Sequence, residues 1–422
     1  MVVKKGAGLL VGAVALLGLV VSVPAAKAQE KTIPVGVTCA LSGTYQELAE
    51  DMVRAYKLAA EEVNASGGLL GKNVEVTVKD TQTKADIAAN LGREFYDAGV
   101  SVVFGGPSSG ESVALQKVAA EKKKLFFAGL ANSDAVTGFE KNPKTGETYQ
   151  AVTRHSFRWN SNSTMVARTV TQLLQKQFGK TAKYYFLVTD YSWGWSMENA
   201  LRTALEKDGG QTLGASMVPL GEKSFVPHLL KARAAKPDVL VVIEFGSDMV
   251  NAIKQANSMG IHREMKIAVP LMEMSMARSI GAEFMQGVMT AEVWVWQLMD
   301  RYPGSKDFVE KYKARYDRYP GSAAATAWVN LLQWADAVKR ANTLDAGPVV
   351  RALEGHKFTL LKGEEEWREW DHQCLTSSVL MEGKAPAEMA NEWDLFKILD
   401  EVPGTLTAAS REENPVVWKD EL

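Results

Sequence analysis

A glycine- and serine-rich loop at residues 105–111 carries the residues best suited to chemistry. Residues 105–107 (GGP) interrupt the apolar run at 100–104, and residues 108–111 (SSGE) offer two hydroxyls and an acid at a helix start. Free backbone N–H groups at a helix N-terminus, together with hydroxyls, suit a carboxylate or another small polar group. The same residues fit G-x-S-x-G, the nucleophile motif of α/β-hydrolases. A ligand cradle and an esterase nucleophile at Ser108 are therefore both open interpretations.

The elements around this loop predict a βαβ unit, with a strand at 100–104, a helix at 111–124 and a strand at 125–128. Strands and helices alternate in this way from residue 33 to Pro270 without hairpin signals. This alternation predicts parallel, doubly wound α/β sheets in two similar lobes. Such sheets bind ligands beyond the carboxyl ends of their strands. The loops at Ser42 and Ser108 both fall at such ends.

Three later loops combine aromatic and acidic side chains. The predicted strand at 183–189 ends in DYSWGW, which contains Tyr191 and Trp193, and the strand at 238–243 ends in Glu244 and Phe245. A further strand at 266–269 ends at Pro270, just before Leu271 and Glu273. The alternation of valines with tryptophans at 293–297 predicts one more short strand.

The first 28 residues are typical of a signal peptide. Lys4 and Lys5 precede an apolar run at 7–23, and residues 26–28 (AKA) form a small-x-small cleavage site. We expect cleavage near Ala28 and export to the periplasm, since no later stretch is long and apolar enough to cross a bilayer. The formal charge of -2 over 422 residues gives no reason to expect nucleic acid or an anionic surface as a partner.

The sequence offers little for metal or acid–base chemistry. The five histidines show no HExxH or HxH spacing, so we expect no metal and no cofactor. Asp371 and His372 could serve an esterase, but neighbouring residues rarely face each other as a catalytic pair must. An oxidising compartment permits a bridge between Cys39 and Cys374, but the sequence does not show that they lie close together.

Five segments of the mature chain, in order, resemble the periplasmic solute-binding proteins of branched-chain amino-acid ABC transporters. They read PVGVTCALSGTYQELAEDMVRAYKLAAEEVNASGGLLGKNVEVTVKDTQT, GGPSSGESVALQKVAAEKKKLFFAGLANSD, TDYSWGWS, KPDVLVVIEFGSDMVNAIKQANSMG and WDHQ. The resemblance implies two Rossmann-like lobes, joined by three crossings, that close on a small ligand. Lobe one would be 29–154 plus 291–360, and lobe two 155–290 plus 361–422. It also implies a membrane permease and cytoplasmic ATPases as partners.

We therefore expect a monomeric binding protein, not an enzyme. A ligand-sensing receptor subunit is the other non-enzymatic alternative. The resemblance implies that Ser109 or Ser108 holds the ligand carboxylate with Asn132, where threonine or serine is more usual, and that Trp193 and Phe245 cover the ligand. The full expected set of ligand contacts is Ser42, Tyr45, Ser108, Ser109, Leu130, Asn132, Tyr191, Trp193, Glu244, Phe245, Leu271 and Glu273.

One departure from the family bears on the ligand. An acid that pairs with a ligand ammonium is expected just after Pro270, where this chain has Leu271 and Met272. A buried ammonium without a carboxylate is costly. Either Glu244 or Glu273 takes that role, or the ligand is not an α-amino acid. Amides, urea-like solutes and aromatic or aliphatic carboxylates therefore stay open beside branched-chain amino acids.

Overall fold

The computed structural model describes residues 1–4, 6, 32–141, 146–419 and 422. The predicted signal peptide lies outside the described residues, apart from 1–4 and 6, and so does its cleavage site. Thr32–Leu422 form one compact unit. Within the described part of the chain, every helix is too short or too polar to cross a bilayer.

The strands, in chain order, are β1 (Thr32–Cys39), β2 (Asn73–Asp80), β3 (Val102–Gly105), β4 (Leu125–Ala128), β5 (Phe139–Lys141), β6 (Thr148–Gln150), β7 (Ser156–Arg158), β8 (Lys183–Thr189), β9 (Gln211–Val218), β10 (Val239–Ile243), β11 (Lys266–Leu271), β12 (Met289–Glu292), β13 (Lys357–Phe358), β14 (Glu365–Trp367), β15 (Cys374–Leu375), β16 (Ser378–Gly383) and β17 (Phe396–Val402). The helices are α1 (Gln46–Ala65), α2 (Ala85–Asp97), α3 (Ser109–Glu121), α4 (Ser163–Phe178), α5 (Ser192–Lys207), α6 (Val226–Ala235), α7 (Gly246–Ser258), α8 (Ile261–Glu264), α9 (Met274–Ile280), α10 (Ala282–Met285), α11 (Pro303–Tyr316), α12 (Ser322–Ala341), α13 (Ala346–Leu353) and α14 (Gly404–Thr407).

The first lobe is built on a parallel five-stranded sheet in the order β2-β1-β3-β4-β7. Strands β3 and β4 are buried along their whole length, as expected for a sheet that helices cover on both faces. Helix α12 also belongs to this lobe. Its Asn330 amide donates to the carbonyl oxygen of Ala128 at 2.9 Å, and Trp334 packs edge-on against Phe104. The lobe therefore combines two separate stretches of the chain.

The second lobe is built on a seven-stranded sheet in the order β17-β16-β12-β11-β10-β8-β9. Strands β8 to β12 pair in parallel, whereas β16 and β17 are antiparallel. The predicted two-lobed α/β fold is confirmed, but the sheet is not wholly parallel. Alternation along the chain could not indicate this, because β16 joins β12 only after the chain has returned from the first lobe.

Three crossings connect the lobes, and buried polar contacts tie them together. The Trp159 indole, in the crossing after β7, donates to Glu365 at 3.0 Å. The Lys362 ammonium donates to the carbonyl oxygens of Val293 (2.8 Å) and Ser377 (2.7 Å), which lie in the second and third crossings. These buried hydrogen bonds between the crossings give the hinge a defined geometry.

The strand predicted at 293–297 is wrong. Strand β12 ends at Glu292, and Trp296–Asp300 form a 3₁₀ turn. The Trp294 indole donates to Ser305 at 2.8 Å, and the Trp296 indole donates to the carbonyl oxygen of Trp393 at 3.1 Å. The valines and the tryptophans of this crossing are both buried, on opposite sides of the chain. Their alternation therefore does not mark a strand with one buried and one exposed face.

Candidate functional site

The described residues line a narrow cavity of about 10 Å³ between the two lobes, beyond the carboxyl ends of β3, β4, β8 and β10. It is lined by Tyr45, Pro107, Ser109, Leu130, Ala131, Asn132, Tyr191, Trp193 and Phe245. All of these except Pro107 and Ala131 belong to the set predicted from the sequence. Ser42, Ser108, Glu244, Leu271 and Glu273 belong to that set but do not line the cavity.

Two glycines turn the chain from β3 into the first-lobe side of the cavity. Gly105 has φ +118° and Gly106 has φ +62°, both in the region that favours glycine. A Cβ on Gly105 would lie 1.9 Å from the carbonyl oxygen of Thr38, so no other residue fits there. The turn allows α3 to begin at Ser109, with its N-terminus at the cavity.

Ser108 and Ser109 have different roles. Ser108 is the N-cap of α3: its hydroxyl accepts from the Glu111 N–H at 3.4 Å, and the Glu111 carboxylate accepts from the Ser108 N–H at 2.9 Å. The Ser109 hydroxyl accepts from the Ser133 N–H at 3.1 Å and faces the cavity. Of the two serines, Ser109 lines the cavity and Ser108 does not.

The structure gives no support to the esterase hypothesis, because the two residues considered as partners of Ser108 have other contacts. The Asp371 carboxylate pairs with Arg368. The His372 ring lies between the Ser156 carbonyl oxygen at 2.9 Å and Glu354 at 3.0 Å. Neither Asp371 nor His372 contacts Ser108 in the described chain, and the Ser108 hydroxyl is already used as a helix cap beside Glu111.

The loop after β4 supplies further donors to the cavity. The carbonyl oxygens of Leu130 and Ala131 accept from Asn160 (3.3 Å) and Arg158 (3.3 Å). In a trans peptide the N–H group points opposite to the carbonyl of the preceding residue. The N–H groups of Ala131 and Asn132 thus point away from Asn160 and Arg158, and within the described chain neither has a hydrogen-bond partner.

Asn132 lines the cavity, but its side chain is partly committed. Its amide donates to the Ser161 carbonyl oxygen at 2.5 Å, in the first crossing. The predicted amide donation to a ligand carboxylate therefore competes with this contact, while the Asn132 backbone N–H is free. The sequence reading missed Arg158, which orients the loop from β7. Its only signal was an aperiodic segment, RHSFRWN, without a recognisable motif.

Aromatic side chains form the second-lobe wall. Phe245 lies 5.7 Å from both Tyr45 and Trp193, measured between ring centroids and with edge-to-face or steeply inclined packing. The Tyr45 and Tyr191 hydroxyls are hydrogen-bonded at 2.5 Å across the two lobes. The Trp193 indole N–H, also buried, has no partner in the described chain. The wall is apolar with a few polar edges.

The lobes are closed on each other in this structure. The Ser247 N–H donates to the Thr44 carbonyl oxygen at 3.2 Å, and the Ser192 hydroxyl donates to the Ser133 hydroxyl at 3.2 Å. Both contacts join the second lobe to the first at the rim of the cavity. Opening of the lobes is therefore required for a solute to enter.

The two acids considered for a ligand ammonium differ sharply. Glu273 accepts from Met274 N–H and Ser322 hydroxyl, both at 2.8 Å, and from Ala323 N–H, so its oxygens are occupied. Glu244 is fully buried after β10, and neither of its oxygens has a partner in the described chain. Burial, and then the nearby Asp248, raise the pKa of Glu244 to about 9.

The two remaining predicted contacts lie away from the cavity. The Ser42 N–H and hydroxyl donate to Asp80 at 3.3 and 2.7 Å, and Leu271 is buried at the end of β11. Within the residues that the structure describes, no three His, Cys, Asp or Glu side chains are grouped so as to hold a metal ion. Cys39 and Cys374 are buried and unbridged.

Comparisons with known proteins place these features in a family. The family model described as periplasmic binding protein matches residues 32–387. The chain is 27% identical to the Leu/Ile/Val-binding protein homolog 8 of Brucella suis, over 74% of this chain and 77% of that protein.

Solved structures show the same architecture. A periplasmic binding protein from Burkholderia mallei superposes with a TM-score of 0.84 and 28% identity, covering 92% of this chain and 100% of that one. A branched-chain amino-acid ABC transporter ligand-binding protein from Burkholderia xenovorans gives a TM-score of 0.77 and 25% identity, covering 91% and 99%. The chain therefore belongs to the periplasmic binding protein family, a family of exported proteins that bind solutes.

Proposed function

We propose that this protein is the periplasmic solute-binding component of an ABC importer and that it captures a small amino acid or a related carboxylate or amide. The observation that carries the proposal is the closed cavity between the lobes, where Ser109 and unbonded N–H groups face aromatic side chains. The names of the relatives from Brucella suis and Burkholderia xenovorans support a ligand of the branched-chain amino-acid type.

In the proposed complex, the ligand carboxylate accepts from the Ser109 hydroxyl and from the N–H groups of Ala131 and Asn132. Trp193 and Phe245 cover the apolar part. Pockets for drug-sized ligands measure about 300–1,000 Å³, whereas this cavity measures about 10 Å³, so its walls must move apart to hold even a small solute. The ligand stabilises the closed form through its contacts with the second lobe.

The proposed protein binds its solute without chemical change and works as a monomer. It delivers the solute to a membrane permease and has no role with nucleic acid. The lobe boundaries at 154/155, 290/291 and 360/361 and cleavage near Ala28 belong to the same proposal.

The proposal is tested by a thermal-shift screen followed by calorimetry. The screen contains L-leucine, L-isoleucine, L-valine, 4-methylpentanoate and benzoate. A bound solute at about 100 times its Kd should raise Tm by about 5 °C. Ser109→Ala should weaken binding of that solute about 5- to 150-fold, because a buried polar group loses its partner. Ser42→Ala is the matched control, since its hydroxyl contacts Asp80 outside the cavity. A screen without any stabilising solute would contradict the proposal.

Glu244 does not line the cavity in this structure, but both of its oxygens lack partners in the described chain, so we propose it as the partner of a ligand ammonium. With its pKa raised to about 9, this carboxyl is protonated at pH 7 in the ligand-free protein. Pairing with an ammonium requires ionisation, so capture of L-leucine should release about one proton per solute. Calorimetry at pH 7 in buffers of different ionisation enthalpy measures this number. The des-amino analogue 4-methylpentanoate should release none. Equal enthalpies of L-leucine binding in all buffers would show that Glu244 stays neutral.

A further inference from the structure

Arg158 is a buried guanidinium behind the carboxylate-binding loop. It ends β7 and is 0% exposed. It donates to the carbonyl oxygens of Ala131 (3.3 Å) and Ser133 (2.6 Å), to the side-chain oxygen of Gln373 (2.9 Å) and to the Thr137 hydroxyl. All of these acceptors are neutral oxygens, and two of them belong to the loop that lines the cavity.

The charge of Arg158 has no contact partner of opposite sign in the described chain. The nearby carboxylates are Asp134 and Asp371. Asp134 accepts from the Thr164 N–H and hydroxyl at 3.1 and 3.0 Å, and Asp371 pairs with Arg368. Burial lowers the pKa of Arg158 to about 9, so the group is still a cation at neutral pH. A buried cation without a paired anion is costly.

The same hydrogen bonds transmit this charge to the cavity. Because Arg158 binds the Ala131 carbonyl oxygen, the N–H of Asn132 in that peptide points to the opposite side. Because it binds the Ser133 carbonyl oxygen, the N–H of Asp134 points outward and donates to Ser196 of the second lobe at 3.0 Å. The peptide dipoles are thus aligned with their positive ends away from the guanidinium.

We propose that Arg158 is a positioning and specificity-determining residue that makes the cavity selective for anions. The missing counter-charge of the buried guanidinium is the carboxylate of the captured solute, on the far side of one layer of peptide groups. This inference rests on the proposed function and narrows it: the ligand is a monocarboxylate or an amino acid, and neutral amides and urea-like solutes are rejected.

The test compares each carboxylate with its neutral amide in the full mature chain. The probe pairs are L-leucine with L-leucinamide and 4-methylpentanoate with 4-methylpentanamide, measured by calorimetry. Arg158→Gln removes the charge, and Arg158→Lys keeps it. Arg154→Gln, four residues earlier, removes an arginine that is paired with Glu354 at 2.7 Å and serves as the matched control. Melting curves establish that each variant is folded.

We expect the wild type to prefer carboxylate over amide, and Arg158→Gln to reduce that preference about tenfold or more. Arg158→Lys and Arg154→Gln should change the preference less than about threefold. A purely structural role would instead weaken both members of a pair equally. Wild type that binds an amide as well as its carboxylate, or an unchanged preference in Arg158→Gln, would overturn the inference while the solute-binding function stands. No binding of any probe, or of the wider screen, would overturn both.

Discussion

Replacing Gly246 by alanine is expected to prevent closure of the lobes and to raise the Kd of the captured solute about 100-fold or more. Gly246 begins α7 in the second lobe, with φ +59°. A Cβ at this position would lie 2.3 Å from the Thr44 carbonyl oxygen and 2.8 Å from the Tyr45 ring, both in the first lobe. The clash is relieved only if the lobes separate, which removes the second-lobe wall from the ligand.

Gly260→Ala provides the matched control for this prediction. Gly260 also has positive φ, +72°, and lies in the same lobe, but a Cβ there would meet nothing within 4 Å. Both variants carry the backbone strain of about 1–2 kcal/mol that alanine has in this conformation, and only Gly246→Ala carries the contact with the first lobe. Small-angle scattering should show a larger radius of gyration for Gly246→Ala than for Gly260→Ala. Equal radii and equal affinities would contradict the prediction.

The second large effect is a loss of stability as pH rises, caused by a carboxyl pair at the lobe interface. The Ser322 hydroxyl lies 2.8 Å from Glu273 and 2.7 Å from Glu292, and all three residues are buried. A hydroxyl has one hydrogen, so one of the two carboxyl groups must itself be protonated. Glu273 already accepts two backbone N–H groups. Glu292, whose other oxygen has no partner among the described residues, is therefore the protonated one.

Burial is the largest cause that raises the pKa of both groups, followed for Glu292 by the Glu273 carboxylate. Asp51 faces Glu273 and raises its pKa further, although Arg54 and Arg318 pair with Asp51. A carboxyl whose pKa is higher in the folded state binds its proton more tightly there. The stability that this proton binding gives is complete at pH values at and below 4.5, the ordinary pKa of a glutamate. It is lost as the pH rises through the neutral range.

Glu292→Gln removes this ionisation and keeps a donor for Ser322. At pH 5 the variant should match the wild type within about 1 kcal/mol, and at pH 8 it should be more stable by about 2 kcal/mol or more. Urea unfolding of both proteins at each pH measures the difference in the free energy of unfolding between the variant and the wild type. The other buried acids contribute equally in both proteins, so their contributions cancel. Glu310→Gln, an exposed glutamate, is the control and should show no such change. A stability difference between Glu292→Gln and the wild type that does not change with pH would contradict the assignment of the proton to Glu292.

The sequence was informative where a local pattern has one structural solution. GGPSSGE, between a strand and a helix, could only form a loop and a helix start, and the helix does begin at Ser109. The sequence could not show which of the two adjacent serines, Ser108 or Ser109, caps the helix, because serine is a good N-cap at either position. The distinction comes from the Ser133 N–H, which reaches Ser109 from a loop 24 residues away.

Long-range pairing explains what was missed. Arg158 and Glu292 have no motif around them, and their roles depend on Ala131, Ser133 and Ser322, which only the fold brings near. The sequence indicated possible strands around 374–381 and 393–398, but the antiparallel pairing of β16 and β17 was hidden, because their partner β12 precedes them by a whole helical segment. Buried polar residues with distant partners are the part of this site that composition and periodicity could not indicate.

A crystal structure of the mature protein with the solute that gives the largest thermal shift tests the proposed binding site most directly. We expect the solute to lie between the lobes, with its carboxylate on the Ser109 hydroxyl and the N–H groups of Ala131 and Asn132, and with Trp193 and Phe245 over its apolar part. A solute bound outside this cavity, or bound with its carboxylate away from Ser109, would contradict it.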